Sequence, residues 1–432
     1  MMPTIRLLGC SLAIFCVTPL FADSFSVHVP PSANGSQLQI GVTFNLWIPD
    51  DAVTLRGIIV HQHGCGEGAC RSGETAAKDL HWQALAREWD CALLSPRYHQ
   101  SQDQNCRLWC DPRQGSGEVF VTSLEQLAEQ SMHPELARVP WCLWGHSGGG
   151  FWASLMQMEY PQRIVAIWFQ SGTAHSRWVS GEIEAPTIPD AAMGIPMVAN
   201  PGFKERDHQR FKSAYSGCYQ MVKDYRQRGA PIAFAPDPKS GHETRDSRYL
   251  AIPFFDACLA MRLPGTPGTA DLKPVDLNGG VLVPLHENYQ DVTQLSPINP
   301  PNPTTANWLP NEALALKWAE FIRAGEVADT TPPPRPTLVS AEGNQVRWHA
   351  EADLESGIAA FVILKDGHRI GRVPEESKSQ FGRPLFQGNT YHDTPAFDAP
   401  EMKFLDPSGT PGRYQVITVN SMGLQSQPTS TE

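Results

Sequence analysis

Ser147 stands at the centre of Trp144-Gly145-His146-Ser147-Gly148-Gly149-Gly150. The apolar run Val139-Pro140-Trp141-Cys142-Leu143 before it has strand length, and Phe151 to Tyr160 after it reads as a helix. The serine is therefore expected on a strand-to-helix turn. Such a turn exposes a hydroxyl, and small residues on both sides, here Gly145 and Gly149, let the strand and helix backbones approach closely.

A serine hydroxyl is a poor nucleophile until a base takes its proton. His242, in Ser240-Gly241-His242-Glu243, lies in the loop after a short apolar run at Ile232 to Ala235 and is the expected base. The base needs a carboxylate to fix its tautomer and to stabilise the imidazolium that forms. That acid is expected in Asn200-Pro201-Gly202-Phe203-Lys204-Glu205-Arg206-Asp207, after the run Ile195 to Ala199. Glu205, three residues past Gly202, is the first choice. Asp207 is the alternative, with the competing role of capping a helix that starts near His208.

An oxyanion formed during acyl transfer needs N–H donors placed in advance. The expected donors are the backbone N–H of Gly148, next to the serine, and that of Cys65 in His63-Gly64-Cys65, just past the apolar run Gly57 to His61. Among the tryptophans near these segments, Trp109 and Trp178 are the expected substrate contacts. A zinc site from His61, His63, Cys65 and Cys70 is a competing use of the same loop. An oxidising compartment and the oxyanion role argue against it, so neither a metal nor an organic cofactor is expected.

The elements that must position these residues alternate. Buried strands are expected at Gly57 to His61, Cys91 to Leu94, the run before Ser147, Ile164 to Phe169, Ile195 to Ala199 and Ile232 to Ala235. Helices are expected near Glu74 to Trp89, around Phe120 to Leu127, after Ser147, near His208 to Arg226 and through Leu250 to Leu259. That alternation implies an α/β fold, a doubly wound and mostly parallel sheet. Ligand sites of such sheets gather at the carboxyl ends of the strands, where each candidate residue falls. Two further strands, Phe25 to Val29 and Gln37 to Ile48, open the domain as a hairpin-like pair. Residues 171–194 are expected to form a cap or lid.

Composition bounds the rest. With 432 residues, 41% apolar and 18% charged, the chain suits one large and one small globular domain. A formal charge of −11 and the lack of a basic cluster exclude a nucleic-acid partner. Residues 1–22, with Arg6 ahead of an apolar run ending in Leu20-Phe21-Ala22, resemble a secretory signal peptide, which implies a secreted or periplasmic protein. A lipoprotein signal at Cys10 is disfavoured because the apolar run lies after that cysteine. No later stretch is long and apolar enough for a membrane span. Beyond Cys10 and Cys16, the remaining cysteines are even in number, which in an exported chain suggests disulfides. Cys65 with Cys70, and Cys106 with Cys110, are close enough for local staples; Cys91, Cys142, Cys218 and Cys258 are left to pair across elements or stay buried.

The catalytic unit is expected to span residues 23–329, with 262–329 wrapping back onto it. Residues 330–336 read as a stiff Pro-rich linker. Residues 337–432 carry short strands and no helix pattern, which suggests a small all-β sandwich. It is similar to a fibronectin type III module, with Trp348 in an early strand and Tyr414 opening a late one.

Residues from about 37 to 262 resemble the α/β-hydrolase fold, in which the nucleophile, acid and base follow one another as Ser147, Glu205 and His242 do. Within that fold, His63-Gly64-Cys65 and the expected export are similar to the polyhydroxyalkanoate depolymerase and feruloyl esterase branch. The resemblance implies a serine hydrolase acting on a small-molecule or polymer-linked carboxylic ester. A serine peptidase and a non-catalytic surface or carbohydrate-binding protein are the alternatives. The C-terminal module is expected to be a spacer or to make a weak carbohydrate or cell-surface contact.

Overall fold

The computed structural model describes residues 23–33, 37–269, 271–290, 303–351, 353–375, 402–410 and 412–431. The expected signal peptide lies outside the described residues.

Eight strands form the main sheet: β1 (Asp23–Val29), β2 (Val42–Ile48), β3 (Gly57–Gln62), β4 (Cys91–Tyr98), β5 (Trp141–His146), β6 (Ile164–Gln170), β7 (Met197–Asn200) and β8 (Ile232–Phe234). Their order is β1-β2-β4-β3-β5-β6-β7-β8. β1 and β2 pair antiparallel, and β2 pairs antiparallel with β4; every pairing from β4 to β8 is parallel. This is an α/β-hydrolase architecture, a mixed but mostly parallel sheet with helices packed on it. β3, β5, β6, β7 and β8 are buried along their whole length, as strands covered on both faces must be.

The expected strand from Gln37 is shorter in the structure. Leu38 and Ile40 are buried but lie in an irregular turn, where Leu38 carbonyl accepts from Ser32 N–H at 2.8 Å, and pairing with β1 begins only at Val42. The alternation there reflects burial rather than a ladder. The expected helix from Glu74 likewise begins at Leu80, where Asp79 caps it by accepting from His81 and Trp82 N–H.

Helix Leu80–Glu88 packs on helix Arg248–Arg262, which in turn meets helix Glu312–Ala324. Buried Arg248 donates twice to Asp79, at 2.9 and 2.8 Å, so the residue capping one helix also ties it to another. Helix Ser116–Ser131 packs on helix Gly148–Glu159 through Phe120 and Trp152, 5.3 Å apart. The last helix of the main unit is held by Trp318, whose indole N–H donates to Phe234 carbonyl at 3.0 Å, and Asn307 accepts from Phe234 N–H at 2.7 Å. A two-stranded sheet, β9 (Val281–Pro284) with β10 (Ala306–Leu309), accompanies it.

The C-terminal region holds two antiparallel sheets. One is β11 (Thr337–Glu342), β12 (Gln345–His349) and β15 (Lys403–Leu405); the other runs in the order β14 (His368–Val373), β13 (Ile358–Lys365), β16 (Tyr414–Asn420) and β17 (Thr429–Ser430). Val346, Trp348, Phe361, Ile363, Tyr414 and Val416 fill the space between them. Leu80 packs against this second core, and His81 Nε2 donates to Leu354 carbonyl at 2.9 Å.

Candidate active site

Parallel register brings the strand ends level. Gln62 pairs with Gly145, His146 with Gln170, Gln170 with Asn200, and Ala199 with Phe234. The next residues leave the sheet together: Ser147 N–H donates to Gln170 carbonyl at 2.7 Å, and Ser171 N–H to Asn200 carbonyl at 3.1 Å. Three loops from different parts of the sequence therefore meet at one edge.

Ser147 occupies φ 53°, ψ −110° ahead of helix Gly148–Glu159. That conformation costs a non-glycine residue about 1–3 kcal/mol and persists only where surrounding structure imposes it. The imposing contact is close: a Cβ on Gly145 would stand 2.3 Å from Gly149 carbonyl oxygen, so strand and helix pack there only through glycine.

Ser147 Oγ lies 2.9 Å from His242 Nε2, and His242 Nδ1 hydrogen-bonds Glu205 Oε1. With Nδ1–H donated to the carboxylate, Nε2 presents its lone pair to the serine hydroxyl. Glu205 sits in a 3-10 turn, Phe203–Asp207, with no exposed side-chain surface. Burial pushes its carboxyl well above the usual carboxylate range, with a hydrogen bond from Ser171 opposing that rise. Asp207 points away; its side chain is 79% exposed and pairs with Arg206 at 3.2 Å. Nor does Asp207 cap a helix, because the helix after it starts at Lys212 with Phe211 at the cap position. The loops that carry Glu205 and His242 are joined by Lys204 N–H donating to Ser240 carbonyl at 3.1 Å.

Two neighbours of the imidazole escaped the sequence reading. Phe211 stacks on it, with centroids 3.8 Å apart and planes 6° from parallel. From the other direction His146 Nε2 donates to His242 carbonyl at 2.6 Å. Neither carries a sequence signal beyond proximity to the acid loop and to the serine.

The expected oxyanion donors also converge. Gly148 opens its helix, so its N–H has no intrahelical acceptor. The point where a Gly148 Cβ would stand is 3.4 Å from Cys65 N and 2.2 Å from Cys65 Sγ. His63 holds the loop behind Cys65, with Nδ1 donating to Gly64 carbonyl at 2.7 Å and Nε2 accepting from Tyr98 N–H at 3.1 Å.

The disulfide differs from both expected staples. Cys65 is bonded to Cys106, 41 residues away, while Cys70 and Cys110 are buried thiols. β3 and β4 are parallel neighbours, so the loops that follow them lie side by side, a proximity that sequence spacing does not reveal. Cys91, Cys142, Cys218 and Cys258 are also free, and burial pushes each thiol upward, away from its reactive form. With Cys65 in a disulfide, the competing zinc set loses a ligand.

The cleft over Ser147 has a volume of about 420 Å³. Trp109 and Trp178 do not line it. Trp109 is buried behind the His63 loop, stacked on Tyr98, with its indole N–H donated to Gln100. Trp178 is buried against His175, with ring centroids 5.3 Å apart. The aromatic walls are instead Phe151 and Phe211, and residues 176, 177 and 182 of the expected lid complete one side.

No family model matches the chain, and no curated protein does. Solved structures do. The chain is similar to a poly(3-hydroxybutyrate) depolymerase from Bordetella parapertussis, at 14% identity over 57% of this chain and 92% of that one, with a TM-score of 0.37. It is similar to a ferulic acid esterase at 14% identity over 51% and 91%, TM-score 0.36. For an S-formylglutathione hydrolase from Agrobacterium tumefaciens the identity is 12% over 52% and 90%, TM-score 0.35.

Proposed function

We propose that the protein is an exported serine hydrolase that cleaves carboxylic esters through an acyl-enzyme. The observation that carries this reading is the unbroken hydrogen-bonded chain from Ser147 through His242 to Glu205. Ser147 Oγ attacks the ester carbonyl carbon as His242 Nε2 takes its proton. The negative charge that moves to the carbonyl oxygen is held by the N–H groups of Gly148 and Cys65, and the imidazolium by Glu205. Collapse expels the alcohol, which receives the proton from His242. Water, deprotonated by the same nitrogen, then releases the acid and restores the serine.

Apart from the ester and the water, each step uses groups of the chain itself. Burial of Glu205 suits this role: a carboxylate that is costly to ionise in isolation gains most when its partner becomes positively charged. We assign export to residues 1–22 and the spacer role to the C-terminal sheets, read as fibronectin type III-like. Tyr414 favours that reading; it opens β16, and its hydroxyl reaches back to Thr410 carbonyl at 3.4 Å and Asp406 Oδ2 at 2.9 Å, in the manner of a tyrosine corner.

A fluorophosphonate probe tests the central claim. Folded protein should be labelled at Ser147 and should turn over a short acyl ester, and Ser147→Ala should lose both. Absence of labelling would sink the hydrolase reading, while turnover of peptides in preference to esters would replace esterase with peptidase.

A further inference from the structure

The cleft wall carries charge that the chemistry above does not use. Arg107, Arg177 and Arg210 line it, and Glu182 is the carboxylate among the lining residues. Glu182 is shared, accepting from both Arg107 and Arg177. Hydrogen bonding from Arg177 holds its carboxyl below the usual range, so it is ionised at neutral pH and offsets one guanidinium of the two. Arg210 has no carboxylate within ion-pair distance among the described residues. Its guanidinium lies 5.0 Å from the centroid of Phe211, the ring that stacks on His242. Three guanidiniums against one carboxylate leave the wall cationic on a chain whose formal charge is −11.

We propose that this wall selects esters that carry a carboxylate besides the ester being cleaved, with Arg210 as the principal anion contact and the Arg107–Glu182–Arg177 cluster tuning its strength. The inference rests on the esterase reading and deepens it. A planar guanidinium suits a carboxylate because it can donate two parallel hydrogen bonds. Stacking on Phe211 limits the freedom that Arg210 loses when it does so. A cationic cleft in an acidic protein also concentrates anionic substrate at the site where it reacts. Nothing in the bond-making steps changes: the carboxylate is held and the neighbouring acyl carbon is attacked.

The test uses two matched ester pairs and the full-length protein. In the first pair, 4-nitrophenyl hemisuccinate and its methyl-capped analogue place the charge on the acyl side. In the second, 4-acetoxybenzoate and its methyl ester place it on the alcohol side. The readout is the ratio of kcat/KM, charged over neutral, within each pair. One pair should show a ratio above unity by about five- to tenfold, the scale of a partly exposed charge-assisted contact. Arg210→Gln should bring that ratio to near unity, Arg210→Glu should invert it, and 0.5 M salt should shrink it. Glu182→Gln, which unmasks a guanidinium, should raise it; a gain of this kind does not follow from misfolding. Turnover of the neutral esters with ratios at or below unity in both pairs, or a ratio unmoved by Arg210→Gln, would overturn the inference and leave the esterase reading standing. No turnover of any ester, with Ser147 unlabelled by fluorophosphonate, would overturn both.

Discussion

Phe211 lies flat against the imidazole of His242, with ring centroids 3.8 Å apart. His242 is thus fixed on three sides: by Phe211 across its ring face, by Glu205 at Nδ1 and by His146 at its own carbonyl. Replacing the ring with Phe211→Leu keeps an apolar side chain but removes the flat surface. A stacked pair is worth ~1 kcal/mol, so kcat should fall about five- to tenfold with a smaller change in KM. Pre-steady-state acylation by a chromogenic ester would show it; unchanged acylation would mean that the ring does not orient the base.

Glu205 and Asp207 are separable by mutation. Glu205→Gln should lower kcat by roughly 10²- to 10⁴-fold, the cost of losing the group that sets the tautomer. Asp207→Asn should stay within about twofold of the parent protein, since its side chain faces solvent. Equal losses in both variants would contradict the assignment of the acid.

The Cys65–Cys106 bond spans a sequence separation of 41 and ties the loop after β3 to the loop after β4. Chain-entropy arguments put such a crosslink at about 4 kcal/mol. The Cys65→Ser, Cys106→Ser double variant should therefore melt lower. It should also lose kcat, because the Cys65 N–H is no longer held against Gly148. Circular dichroism melting and steady-state kinetics on the same sample separate the two effects.

Two buried histidines should each weaken the fold on mild acidification. Burial holds the His63 pKa at about 4 and that of His81 at about 3, against an ordinary 6.5. Between those values the unfolded chain binds protons that the folded chain refuses. Each stabilising contribution is complete above pH 6.5 and is lost as pH drops toward 4 for His63 and toward 3 for His81, on the order of 3 kcal/mol for the first and 5 kcal/mol for the second. Between pH 7 and 4.5 the urea midpoint of His81→Gln should lose ground less steeply than that of the parent protein. A His81→Gln profile that runs parallel to the parent's over this range would refute the assignment.

Removing the C-terminal sheets should cost stability but not chemistry. A chain ending at Asp329 would uncover Leu80 and leave His81 without the Leu354 carbonyl. It would also free Asp329 from Ser356 and Asn420, which donate to it at 2.7 and 2.8 Å. We expect a lower melting temperature with activity on a small ester retained. Loss of activity in a chain that still melts cooperatively would give the module a part in the reaction.

Much of the site was legible because its residues follow strands. Ser147, Glu205 and His242 each come just after a short buried run, and parallel strands deliver such residues to a common edge whatever their distance in sequence. Gly145 and Gly149 were readable for the same reason, since a sharp strand-to-helix turn excludes a Cβ. What stayed hidden depends on side-chain direction or on sheet order. Composition marks Trp109 and Trp178 as large and apolar, but not that both rings turn into the core while Phe151 and Phe211 face the cleft. Cysteine spacing favours local pairs, and only the adjacency of β3 and β4 brings Cys65 to Cys106. Leu38 and Ile40 mimic a strand because burial can alternate without a ladder.

The level strand ends have a metric consequence. Ser147 leaves β5, and the acid loop leaves β7, with β6 between them. Neighbouring strands lie ~4.8 Å apart, so the backbones carrying Ser147 and Glu205 depart from points roughly 10 Å apart. One imidazole with a hydrogen bond at each end has to bridge the gap between their side chains. The backbone ladder thereby acts as the gauge for the hydrogen-bonded chain of Ser147, His242 and Glu205. Substitutions on the outer helices leave that spacing alone, whereas a bulge or deletion in β6 would detune it without touching any residue of the site.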